Sequence, residues 1–102
     1  MQRGEIWWAF MGTKTRPIVL VSRDAEIQVR RFILAAPVTS HIRRIDSEVS
    51  LGQEDGLRKN CVANTSDIGL VAKTRLIRKI AALSPSKRDA LDTALRFSLG
   101  LD

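Results

Sequence analysis

TKTRPIVLVSRD, residues 13–24, is the stretch on which the reading of this chain turns. Ile18, Val19, Leu20 and Val21 are four β-prone apolar residues in a row, so a buried strand is expected over 16–22. Pro17 sits at the strand's mouth, where a missing N–H need not break a ladder bond. Arg16 precedes it. A permanently charged, planar fork of donors at the doorway of an apolar strand is either a solvated turn residue or is aimed at something anionic.

On the N-terminal side, GEIWWAF (4–10) reads as a first strand and MGTKT (11–15) as a short turn. On the other side, RDAEIQ (23–28) reads as a polar connection and VRRFILAAPV (29–38) as a third, long strand. TSHIRRIDS (39–47) is a polar, basic loop, and EVSL (48–51) alternates as a half-exposed strand does. GQEDGLRKN (52–60) is a loop, and CVANTSDIGLV (61–71) a further strand with a bend near Gly69. AKTRLIRKIAAL (72–83) fits two patterns: a turn over Lys73–Ile77 followed by a strand Arg78–Leu83, or one helix. The ending is sharper. Ser84 is an N-cap with Pro85 at the first helical position, and Leu83 is placed as a staple. Leu91, Ala94, Leu95, Ser98 and Leu99 then recur at helical spacing until Gly100. Strands first and the main helix last predict a single α+β domain over 1–102: a small, strongly curved antiparallel sheet or half-barrel with a packed C-terminal helix.

Charge is unevenly spread. The chain has 17 Lys and Arg against 11 Asp and Glu, a net +6. Residues 1–44 hold 8 basic and 3 acidic residues, and the remainder 9 and 8, so the excess lies in the half that contains Arg16. Such a field attracts polyanions, nucleic acid or an acidic peptide, though solubility alone would also explain it. The apolar runs Ile6–Met11 and Phe32–Val38 fall far short of the ~20 residues that span a bilayer. Arg3 and Glu5 precede any apolar run, so no signal peptide is expected. A lone cysteine forms no internal disulfide, and a cytoplasmic protein is expected. With one His, one Cys and no carboxylates at ligand spacing, no metal centre is expected. No Gly-rich loop joins a strand to a helix, so no nucleotide cofactor is expected either. Cys61, opening an apolar strand, reads as a small buried hydrophobe.

A polar cluster at strand ends remains. Arg16 opens the second strand, while Thr39, Ser40 and His41 close the third, followed by Arg43 and Arg44. Antiparallel neighbours joined by a short connection bring the start of one near the finish of the next. A guanidinium beside a hydroxyl then suits a phosphate. Taken singly, each residue reads as an ordinary turn residue. The combination points to an anion.

The pieces RGEIWWA (3–9), TRPIVLVSRD (15–24), AAPVTS (35–40), EVSL (48–51), DGL (55–57) and LSPSKRDALDTALRFSLGL (83–101) together resemble the MazF/PemK toxins. These are ribosome-independent endoribonucleases (mRNA interferases) of bacterial toxin–antitoxin pairs. The resemblance runs in order over nearly the whole chain, and the order is more specific than any one piece. It implies an SH3-like barrel of the CcdB/MazF-like toxin fold, a homodimer, and single-stranded RNA bound along the dimer groove. It further implies metal-independent, sequence-selective cleavage through attack by a ribose 2′-hydroxyl, with Arg16 and Thr39 as the catalytic pair. Arg16 suits stabilisation of the growing phosphorane charge, and Thr39 can orient phosphate or nucleophile. Neither is an obvious base. Some relatives carry an Arg and an Asp in the later strand where this chain has Asn64 and Ser66, with Asp67 one residue on. The base candidates are therefore Glu5, Asp67 and His41. Arg23, Arg30, Arg31, Ser40, Arg43, Arg44, Asn64 and Ser66 are the expected RNA contacts. Trp7 and Trp8 alternate across the first strand, so one is expected to face the core and the other to support the dimer contact or the RNA face, with core the first reading for both. An antitoxin with an acidic, flexible segment is the implied partner. The competing reading is a non-catalytic toxin on the same barrel that inhibits a protein such as DNA gyrase.

Overall fold

The computed structural model describes residues 1–101. β1 (Glu5–Met11) and β2 (Lys14–Leu20) form a hairpin in which Met11 faces Lys14 across a two-residue turn. Gly12, the first turn residue, has φ 72°, the left-handed backbone that tight hairpins need there. Five further strands follow: β3 (Phe32–Thr39), β4 (Glu48–Leu51), β5 (Cys61–Asn64), β6 (Gly69–Ala72) and β7 (Leu76–Ala82). They make one antiparallel sheet in the order β4-β5-β3-β2-β1-β7, with β6 also on β3. β3 pairs with three strands, β2 along one edge and β6 and β5 along the other. Its first half pairs β6, from Phe32↔Ala72 to Ala35↔Gly69, and its last two residues pair β5, Val38↔Ala63 and Thr39↔Val62.

Curling buries both faces of the central strands. Ile18, Leu20, Ile33, Ala35 and Val71 lie in one core with Ile27, and Val19, Val21, Ala36, Val38 and Ala63 in the other with Leu91 and Ala94. A strand buried on both sides has no polar face, which is why Ile18 to Val21 read as an unbroken apolar run. The terminal helix α2 (Pro85–Leu99) begins as expected: Ser84 Oγ accepts the Lys87 N–H at 3.2 Å. It ends at Gly100, whose φ is 69°. Leu91 and Ala94 are buried, but Leu99 is 56% exposed, so the expected core stripe stops short of the helix end. Leu83 is buried in the core that holds Leu91, one turn beyond the staple position, which Arg88 occupies.

Three expectations are corrected. The polar connection over 23–28 contains a helix, α1 (Asp24–Val29), so β3 starts at Phe32 and not at residue 29. Six residues that bury only Ile27 carry no readable helical period. The single strand over 61–71 is two strands. Their break is a 3-10 turn at Thr65–Asp67, not Gly69, because polar side chains capture the backbone there: Asn64 Oδ1 accepts the Ser66 N–H at 3.0 Å, and the buried Thr65 hydroxyl bonds the Ser47 carbonyl at 2.7 Å. Over 72–83 the turn-and-strand pattern holds, with the strand starting at Leu76, two residues earlier than expected. Pairing with β1 decides it. No helix among the described residues is long and apolar enough to cross a membrane.

Candidate active-site cleft

β2 and β3 pair only as far as Ile18↔Pro37. Pro17, the next residue of β2, has no N–H to carry the ladder further. Beyond it the strands part. The opening is a cleft of ≈590 Å³ with Thr15, Arg16 and Pro17 on one side and Val38, Thr39 and Ser40 on the other. The expected strand start is corrected: β2 begins at Lys14, so Arg16 and Pro17 lie in mid-strand, paired with Ala9 and Trp8 of β1, and what stops beside them is the ladder to β3.

By strand alternation Arg16 shares the sheet face of Ile18 and Thr39 that of Pro37, so the two leave the same face on either side of the cleft. Pro17, Val38, Leu57 and Cys61 form the apolar floor, and Arg16 and Thr39, one residue out of phase, stand at the rim. Arg16 is exposed, and no described carboxylate pairs with it. The Thr39 hydroxyl oxygen accepts the His41 N–H at 3.1 Å. That fixes the oxygen while leaving the hydroxyl proton free to donate.

The far wall comes from the loop between β4 and β5, which contributes Arg58 and Lys59. The loop's position is built in. Asp55 Oδ2 accepts the Gly52 N–H at 2.9 Å and lies 3.7 Å from Lys87 Nζ. Gly56, at φ 89°, approaches β7 so closely that a Cβ there would meet the Ala81 Cβ at 2.9 Å. Arg58 and Lys59 follow two and three residues later, exposed and unpaired among the described residues. Neither is among the expected contacts, and Trp8, for which core came first and the RNA face second, is half-buried on the same cleft. The basic pair directly after DGL was the available signal. Only folding brings that loop opposite Arg16.

Other expected residues lie elsewhere. Glu5 is buried away from the cleft, bonded by Trp7 Nε1 at 2.9 Å and by Lys79 Nζ at 3.2 Å. Burial pushes its carboxyl up, but bonds from the Trp7 side chain, the Gln2 backbone and Lys79 outweigh it and hold the pKa below the ordinary value. Asn64 is buried on the face of Thr39, two residues after Val62, which pairs with Thr39, and its Nδ2 donates to Asp67 Oδ2 at 3.1 Å. Asp67 borders a ≈70 Å³ hollow with Ile18 and Pro37, on the Arg16 face. Ser66 is exposed and engages Asn64 through its backbone. His41 is exposed on the loop beyond Thr39. Arg43 and Arg44 are exposed on the same loop, both N–H groups held by the Glu48 carboxylate at 2.9–3.2 Å. Arg23, Arg30 and Arg31 do not join the cleft. They cluster around α1 at the opposite end of β3, where Glu26 pairs with Arg23 at 3.3 Å and Arg30 at 3.7 Å. Cys61 lies on the floor, and burial, reinforced by Asp55, pushes its thiol up, away from thiolate chemistry.

The arrangement offers an exposed guanidinium and a free hydroxyl proton at one rim, two cations on the facing wall, and an apolar floor with an indole. It is suited to a polyanion with planar apolar parts.

Comparison with known proteins agrees. Residues 2–99 match the family described as PemK-like, MazF-like toxin of type II toxin-antitoxin system. The probable endoribonuclease MazF5 of Mycobacterium tuberculosis is 34% identical over 99 residues, covering 95% of this chain and 91% of that protein. A mycobacterial endoribonuclease solved with its cognate antitoxin superposes with a TM-score of 0.91 at 26% identity, covering 100% of this chain and 97% of that one. The M. tuberculosis toxin MazF-mt6 superposes at 0.89, also at 26% identity, covering 96% and 98%.

Proposed function

The chain belongs to the PemK-like, MazF-like toxins of type II toxin–antitoxin systems, and from that membership we propose a specific activity: metal-independent, sequence-selective cleavage of single-stranded RNA by the ribose 2′-hydroxyl. RNA cleavage in general follows from the family, whose relatives include endoribonucleases. The finer reading is supported above all by the placement of Arg16 opposite Thr39 at the fork between β2 and β3.

In this mechanism the scissile phosphate sits at the rim. The 2′-oxygen loses a proton and attacks phosphorus, the Arg16 guanidinium holds the charge growing on the non-bridging oxygens, and the 5′-oxygen leaves with a proton. The products are a 2′,3′-cyclic phosphate and a 5′-hydroxyl. Thr39 donates its free proton to a phosphate oxygen, its own oxygen being fixed by the His41 N–H. Arg58 and Lys59 neutralise the neighbouring phosphates. Of the three base candidates, Glu5 is committed to Trp7 and Lys79, which leaves Asp67, held by Asn64 on the Arg16 face, and His41 on the adjoining loop. The protein acts as a homodimer, and its antitoxin closes the same cationic cleft with an acidic segment that folds as it binds.

The test is incubation of the purified protein with a long single-stranded RNA in excess chelator. Discrete cuts bearing cyclic phosphate ends, abolished in both Arg16→Ala and Thr39→Ala, are expected. Intact RNA, or cleavage that needs added metal, overturns the proposal.

A further inference from the structure

Trp8 occupies a position that core packing does not account for. It is half-buried, although its neighbours Ile6 and Ala9 on β1 are fully buried. It borders the ≈590 Å³ cleft with Pro17, its partner across the hairpin, and it also borders a second hollow of ≈270 Å³ with Ile77 and Arg78. The indole, with Thr15, is thus the ridge between two hollows. The Arg78 guanidinium lies 5.9 Å from the ring centroid, over one face. A cation on one face of an aromatic ring fixes its tilt and leaves the other face for a planar partner.

We infer that Trp8 is a nucleobase platform, stacking the base of a nucleotide adjacent to the one whose phosphate sits between Arg16 and Thr39. The inference deepens the nuclease reading and rests on it. The chemistry of the cleft selects the occupant. Its floor is apolar, Pro17, Val38 and Cys61, which suits a base and not a phosphate. Its rim and far wall, Arg16, Arg58 and Lys59, are cationic, which suits the backbone on either side of that base. Because every base offers a π-face, stacking on Trp8 sets mainly how tightly RNA is held near the cut and adds a modest preference at one position of the cleavage motif.

Two measurements test this, chosen so that its failure and that of the nuclease reading can be told apart. In a Trp7→Phe background Trp8 is the one tryptophan left. Titration with a short RNA carrying 2′-O-methyl groups, which cannot be cut, is expected to quench and shift its emission. Quenching by an acidic peptide but not by RNA overturns the platform in favour of a protein ligand. Separately, Trp8→Leu is expected to raise KM for RNA by ~5- to 100-fold, to lower kcat less, and to broaden selectivity at one motif position, while Trp8→Phe retains most of the affinity. A folded Trp8→Leu protein that cuts the same sites with the same KM overturns the inference and leaves the nuclease reading intact. Quenching without cleavage by the wild type overturns the nuclease reading and leaves the platform.

Discussion

At its C-terminal end β3 parts from β2 and meets an open cleft; at its N-terminal end it is closed in by β6 and α1. Both ends are rich in arginine. At the closed end Arg23 and Arg30 share the Glu26 carboxylate, and Lys73 donates its ammonium to the Ile27 carbonyl at 2.6 Å. At the open end Arg16, Arg58 and Lys59 have no described carboxylate beside them. Surface pairs of the first kind add at most about 1 kcal/mol each to stability and remove charge from any ligand's reach. Cations of the second kind gain little for the fold and remain available to an anion. The difference shows that a basic residue's meaning lies in its neighbours, and that net charge by itself does not locate a binding face.

Substitutions at the two ends should therefore separate stability from activity. The largest effect is expected at the closed end. Ile27→Ala removes a fully buried side chain under α1 and should cost about 2–5 kcal/mol in denaturant unfolding, while activity per folded molecule stays near wild type. Loss of specific activity without loss of stability would break the comparison. At the open end the reverse holds: Arg16→Ala should lower kcat by about 10²–10³-fold and shift unfolding free energy by no more than about 0.5 kcal/mol.

Salt sharpens the contrast. With Arg58→Ala and Lys59→Ala combined, the slope of log affinity for uncleavable RNA against log salt should flatten by about 1.4, two single-strand phosphate contacts. The Arg23→Ala, Arg30→Ala pair, both held by Glu26, should leave it unchanged, and equal flattening by both pairs would dissolve the distinction between the ends.

The smallest effect concerns Glu5, which lies outside the cleft. Its folded pKa is depressed below the ordinary 4.5, so its ionised form stabilises the fold above that value and the contribution fades as pH falls through the lower folded pKa. Glu5→Gln should therefore be less stable than wild type near neutrality, with the gap closing as acid is added. The pH profile of cleavage should not move. A shifted profile would return Glu5 to the list of bases.

Local chemistry was readable wherever a few adjacent residues suffice. The apolar run Ile18 to Val21 marked a strand, and the Ser84–Pro85 start and Gly100 stop marked the helix. The break at Thr65–Asp67 was missed because Thr65 is held by Ser47 and by Ser98 at 2.6 Å, partners 18 and 33 residues away. α1 was missed because its stability comes from Ile27 docking into a core built by β2, β3 and β6. For β7 the local pattern fits strand and helix alike, and only pairing with β1 makes it a strand.

By itself, then, the sequence determined the α+β class and the terminal helix, since caps and apolar periodicity act within a few residues of chain. Only the tertiary structure decided which cations face Arg16, that Trp8 borders the same cleft, and that Arg23, Arg30 and Arg31 stand apart from it. Those are distances between residues far apart in the chain, and they exist only once the curled sheet and the loop anchored at Gly56 close around the place where β2 and β3 separate.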